Sequence, residues 1–119
     1  MPVYSVTQAV MEWLASNGHA TYHKTIPDDA PEQFVTVERT GGPVADKVDH
    51  PSVAIQCWAA TDADAEALAI TIRNLIEVGT RPEGVWHMGI NSGPYPFYDE
   101  STRCPRYQLY VDATCQLTD

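Results

Sequence analysis

The stretch SVAIQCWAATDADAEALAITIRNLIEV, residues 52–78, decides the fold. In its first part Val53, Ile55, Cys57 and Ala59 fall on one side of an extended chain, and Ala54 and Trp58 make the other side apolar as well. A strand covered on both sides reads this way, which places it at the centre of a sheet. Thr61 then supplies a helix cap, with Asp62, Asp64 and Glu66 where the positive end of a helix dipole favours carboxylates. Ala65, Leu68, Ala69, Ile72, Leu75 and Ile76 recur at helical spacing, leaving Arg73, Asn74 and Glu77 toward water. The helix is expected over 62–78, closed by Gly79 as its left-handed residue.

On the N-terminal side, Ser5-Val-Thr-Gln8 has the spacing of a capping box. Val6, Val10, Trp13 and Leu14 then line one face of a helix over about 5–17 that Asn17-Gly18 ends. Ala20–Ile26 and Gln33–Thr40 read as two strands joined by the proline-flanked acidic turn Pro27–Pro31. Gly41-Gly-Pro43 breaks the second, and Val44–Pro51, holding Asp46, Lys47, Asp49 and His50, reads as a polar, mobile connector. On the C-terminal side, Val85–Ile90 predicts another strand, with Trp86, Met88 and Ile90 alternating against Val85, His87 and Gly89. Residues 91–105, with Pro94, Pro96 and Pro105, predict an irregular aromatic loop rather than unbroken strand. Tyr107, Leu109, Val111, Ala113, Cys115 and Leu117 alternate with polar partners in a long last strand.

Helix, two strands, strand, helix, two strands make a single α+β domain over 1–119. Its two layers are a mixed or antiparallel twisted sheet and two helices packed on one face. A chain of 119 residues is long enough to build a core without a metal or disulfide staple. The N-terminus lacks the pattern of a signal peptide, and no segment has the length of a membrane-spanning helix, so a soluble protein made in a cytoplasm is expected.

Sixteen acidic against seven basic residues give a net charge of −9, with no basic run. This argues against a surface that grips phosphates, although an acidic wall can serve nucleic acid by repelling it. Cys57, Cys104 and Cys115 are odd in number and lack C-x-x-C spacing, which disfavours a disulfide framework or a zinc knuckle. His19 and His23 are four apart, but in a β-rich context with no third ligand; His50 and His87 are scattered. No metal and no cofactor is expected.

Catalytic constellations are equally thin. Cys104, between Arg103 and Arg106, is the one cysteine in a loop, and with His87 and the aromatic loop it forms the only fragment of an enzyme or ligand site. The carboxylates at Asp28-Asp29, Asp62/Asp64/Glu66 and Asp99-Glu100 each have a local explanation as turn, helix start or loop. No phosphate-binding glycine loop or metalloprotease motif is present, so a non-enzyme is expected. Tyr95, Phe97, Tyr98, Arg103 and Arg106 form the strongest signal outside the core, because Tyr and Arg suit protein interfaces; the alternative is a loop folded back on its own sheet. Tyr110, on the polar row of the last strand, adds to a partner-facing surface.

Several stretches together carry a family likeness: a leading helix, Phe34-Val-Thr-Val-Glu-Arg-Thr-Gly-Gly42, Val53-Ala-Ile-Gln-Cys-Trp-Ala59, the helix with Ala65-Glu-Ala-Leu-Ala69, and Pro105-Arg-Tyr-Gln-Leu-Tyr-Val111. In this order they resemble the small tail terminator proteins of long-tailed bacteriophages, of the type that infects actinobacteria. The resemblance covers nearly the whole chain through patterns rather than an invariant signature. It implies a structural virion protein, assembled in the host cytoplasm and located in the tail, whose subunits form a ring, commonly a hexamer. Such a ring caps the tail tube, ends its polymerisation and meets the head-side connector. The implied partners are further copies, the tube protein and the connector or stopper protein, with DNA only as cargo passing through a lumen. Head-completion or neck proteins of the same size share the helix and strand order. Glu38, Arg39 and Arg106 are the positions of closest resemblance.

Overall fold

Strand β5, Ser52–Trp58, lies where its two-sided apolar pattern placed it. It is flanked by β2, Phe34–Gly41, and β7, Arg106–Cys115, antiparallel to both. The computed structural model describes residues 3–78, 80–98 and 104–118. A two-residue β1, Thr21–Tyr22, adds to β2 in parallel, and β6, Val85–Pro96, pairs with the other side of β7. Two further short strands, β3 (Val44–Ala45) and β4 (Val48–Asp49), form a hairpin. Asp49 pairs with Cys115 and Ser52 with Asp112, three residues apart on each strand. Thus β4 and β5 run along one side of β7 as a single line interrupted at His50-Pro51.

Helix α1, Val6–Ser16, packs over β1 and β2, and α2, Asp62–Val78, packs over β5, β6 and β7. Val6, Val10, Trp13, Leu14, Leu68, Ala69, Ile72 and Ile76 join Val35, Val37, Val53, Ile55, Cys57, Leu109, Val111, Ala113 and Cys115 in one core. The result is a single α+β domain with a curled mixed sheet and both helices on one face. Ile55, Ile72, Leu14 and Leu109 are wholly buried, each worth about 1.5–3 kcal/mol relative to exposure.

The caps follow local chemistry. The Ser5 hydroxyl accepts from the Gln8 N–H at 3.1 Å, but the Gln8 side chain turns forward to Glu12 instead of back to Ser5, so only half of the capping box forms. At the other end Gly18, at φ +90°, closes a paired set of bonds, His19 N–H to Leu14 C=O and Gly18 N–H to Ala15 C=O. Thr61 caps α2 through the Asp64 N–H at 3.1 Å. The stop assigned to Gly79 lies outside the described residues.

Several expectations are corrected. The strand expected over Ala20–Ile26 shrinks to Thr21–Tyr22; beyond it the His23 ring, not the backbone, reaches the Val37 carbonyl at 2.8 Å. The connector 44–51 is an ordered hairpin whose turn residues, Asp46 and Lys47, both adopt left-handed φ, as a tight two-residue hairpin turn requires. It is held because Arg39 grips Asp49, a pairing that sequence distance hides. A side chain at Gly42 would collide with the His50 carbonyl, which fixes glycine where the hairpin folds back. The strand expected to end at Ile90 continues to Pro96. Register shifts between Ile90 and Ser92 and between Ser92 and Tyr95 accommodate the prolines on an edge where no inner ladder is lost. Another shift after Val85 breaks the Trp86–Met88–Ile90 alternation, burying Val85 and Met88 and leaving Trp86 exposed. Leu117 falls past the end of β7 and is exposed, and Leu75 is only half-buried.

Candidate functional site

The side of the sheet that carries no helix holds most of the residues singled out in the sequence. Alternation along the strands turns Phe34, Thr36 and Glu38 of β2 away from the helices, with Ala54, Gln56 and Trp58 of β5 and Arg106, Gln108 and Tyr110 of β7. Register then lines them into rows. Phe34 pairs with Trp58, Trp58 with Arg106, and the Phe97 N–H donates to the Arg106 carbonyl at 2.8 Å.

The first row is aromatic. Tyr22 meets Phe34 edge-on at 5.8 Å between centroids, and Phe34 stacks on Trp58 at 5.5 Å. The Arg106 guanidinium lies between Trp58 and Phe97, 4.6 Å from each ring centre, and its Nε–H donates to the Phe97 carbonyl. Phe97 in turn meets Tyr95 edge-on at 6.5 Å. Each ring–cation contact of this kind contributes about 0.5–1 kcal/mol at an exposed site.

Beside it runs a second row that sequence reading missed. Trp58 Nε1–H donates to Thr36 Oγ1 (3.0 Å), the Thr36 hydroxyl to Gln56 Oε1 (2.8 Å), Gln56 Nε2 to Gln108 Oε1 (2.9 Å), and Gln108 Nε2 to the Tyr95 hydroxyl (2.5 Å). Trp58 donates back from β5 to β2; from Thr36 onward every donor points from β2 through β5 and β7 to β6, head to tail, so each bond polarises the next. Polar residues in two central strands, Gln56 and Gln108, were the available signal; their meeting depends on register. Tyr110 sits in the next row, its hydroxyl 2.8 Å from Thr40 Oγ1, with Glu38 exposed nearby on β2.

Arg39 has a different environment. Its guanidinium makes two 2.7 Å contacts to the Asp49 carboxylate and also donates to the carbonyls of Gly41 and Gly42. Hydrogen bonding to Asp49 raises its already high pKa further. Tyr98 donates to Asp62 at 3.2 Å, tying the segment after β6 to the start of α2, and that bond pushes the phenol pKa up. Desolvation, with Glu66 and Asp62 nearby, does the same to Tyr107. The aromatic segment therefore folds back on its own sheet and helix, with Phe97 and Tyr98 still partly exposed. Arg103, Asp99 and Glu100 lie outside the described residues.

The fragmentary enzyme site does not assemble. His87 pairs with Thr114, eight residues along β7 from Arg106, or roughly 26 Å at the usual rise, whereas Cys104 precedes Arg106. Burial pushes the Cys57 thiol up to about 12, and burial followed by Asp49 pushes Cys115 up to about 11, so both are protonated near neutrality. Cys104 is exposed. His19 is lowered by burial. Among the described residues no three His, Cys, Asp or Glu side chains group to hold a metal ion, and no described helix is long and apolar enough to cross a membrane. An open cleft of ≈ 560 Å³ lies between α1 and the 80–84 turn, lined by Gln8, Glu12, Trp13, Arg81 and Glu83 among others. Compared with protein-family models and with curated proteins, the sequence matches none.

Proposed function

We propose that this chain is a structural subunit of a phage tail terminator, forming a ring that caps the tail tube, ends its growth and meets the head-side connector. The observation that carries this reading is the helix-free sheet face. Its side chains are locked to one another by the aromatic row and the amide row, and among the described residues no helix lies over them. A surface fixed before it meets a partner loses little side-chain freedom on binding, which suits assembly rather than turnover. The family resemblance supplies the kind of assembly.

On this reading Glu38, Phe97, Tyr98 and Tyr110 remain available for contacts, while Arg106 and Tyr95 stiffen the surface from within and Arg39 secures the β3–β4 hairpin. The net charge of −9 suits a ring through which DNA slides without adhering. Native mass spectrometry across a concentration series, with electron microscopy of tail tubes mixed with the protein, tests the proposal. Rings seated on tube ends are expected. A strict monomer at high concentration that leaves tube ends bare would overturn it, and rings that bind the connector but not the tube would reassign the chain to the neck.

A further inference from the structure

The sheet ends in strands of very different character. On the β1 side the edge is blunted: β1 is two residues long, Lys24 follows it, and the His23 ring occupies the Val37 carbonyl. On the other side β6 is twelve residues long and, among the described residues, pairs only with β7. No described residue outside β7 hydrogen-bonds its backbone between Trp86 and Pro96. Pro94 and Pro96 spoil the distal part of this edge, so the usable part is Trp86–Asn91. An unpaired edge of this length calls for an extended backbone beside it.

Strand directions indicate which backbone fits. At the C-terminal end of β7 the lateral order is β3, β4, β7, β6, and each neighbouring pair is antiparallel. If β7 points up, β4 points down, β3 up and β6 down. A second copy related by rotation about an axis along the strands keeps its β3 pointing up, directly beside a β6 that points down. The antiparallel alternation then continues from copy to copy without a break. Such a contact is heterologous, and repeating it about one axis closes a ring when the rotation per copy divides a full turn.

The backbone of β3 is available for this. Pro43 turns its carbonyl inward to the His50 N–H at 2.9 Å, so by alternation the N–H and C=O of Val44 face outward. The missing N–H of Pro43 falls on the inner side, where the outer edge does not need it.

Charge points to the same pairing. Copies carrying −9 each repel unless they meet where neither is charged. Gly84–Tyr98 contains no Lys, Arg, Asp or Glu, the longest such run in the chain, and Thr40–Ala45 is likewise uncharged. Both edges also expose apolar surface: Trp86 is 53% and Val44 59% exposed, and Ala45 is exposed beside it. We propose that β6 of one copy receives β3 of the next, head to tail, in a belt of antiparallel strands. This assignment rests on the ring reading above and names its subunit contact.

Cross-linking tests it. In a Cys104→Ser background, Ala45→Cys, His87→Cys and the combined variant are treated with a short bis-maleimide and run on denaturing gels. Cys57 and Cys115 are buried and serve as internal silent thiols. The combined variant should give a ladder of covalent multimers that stops at the ring number, and neither single variant should cross-link. Dimers from His87→Cys alone would mean that β6 meets β6, and would overturn the proposal. Rings seen by native mass spectrometry without a ladder would overturn the pairing and leave the ring standing; a monomer at every concentration would remove both. As a second readout, Trp86→Arg and Val44→Arg, both at exposed positions, should weaken assembly at least tenfold while circular dichroism stays unchanged.

Discussion

The Arg39–Asp49 clasp makes a prediction whose size depends on which partner is removed. The two side chains meet through paired 2.7 Å contacts, but Arg39 keeps 35% of its side-chain surface in water and Asp49 only 10%. Arg39→Ala strands a nearly buried carboxylate beside the Cys115 thiol, 3.8 Å away, and should cost about 3–4 kcal/mol. Asp49→Ala leaves a guanidinium that still reaches the Gly41 and Gly42 carbonyls and water, so its cost should be about 2 kcal/mol. The double variant leaves no unpaired charge and should cost about 3–4 kcal/mol rather than the sum of the two, a coupling of about 2 kcal/mol. Urea unfolding followed by tryptophan fluorescence measures all three, and Trp13 and Trp58, both in or against the packed structure, report the transition. Equal costs for the two single variants, or strict additivity in the double, would refute the view that a nearly buried carboxylate is what the clasp protects.

Further predictions follow from the core, the amide row and the thiols. Leu109→Ala, at a wholly buried position, should cost about 2–5 kcal/mol in the same unfolding assay, whereas Trp86→Ala should change monomer stability by no more than about 0.5 kcal/mol. Thr36→Val removes both the acceptor for Trp58 Nε1 and the donor to Gln56, and should cost about 1–3 kcal/mol despite its near-identical shape; an unchanged midpoint would mean that water replaces the hydroxyl. Native protein should react with a thiol reagent at Cys104 and spare Cys57 and Cys115, with three thiols reacting after denaturation. Raised folded-state thiol values also set a pH dependence. The unfolded thiols, near 9, ionise first, so stability is intact below about pH 9. It should fall by about 1.4 kcal/mol per pH unit for each buried thiol as pH rises toward 11–12, and Cys57→Ala should flatten that slope.

What the sequence determined by itself is the set of features written in local periodicity and local hydrogen bonding. Residues 52–78 gave a strand apolar on both sides and a threonine-capped helix, and both lie within a residue or so of where the pattern puts them. The α1 stripe, the Gly18 stop and the inward row of β7 were legible for the same reason: each is a repeat of 3.6 or 2, or a contact between residues a few positions apart. Tertiary structure decided everything that depends on register between distant strands. Prolines at 94 and 96 argued against strand, yet an edge position tolerates them, and only the sheet order makes β6 an edge. Asp49 looked like a solvated connector residue because its partner Arg39 lies across a glycine turn. Gln56 and Gln108, 52 positions apart, look like two unrelated surface amides until β5 and β7 align and join them into one row. Side-chain spacing along the chain fixes which face a residue takes; which residue it meets there is set by pairing that loop closure and core packing choose together.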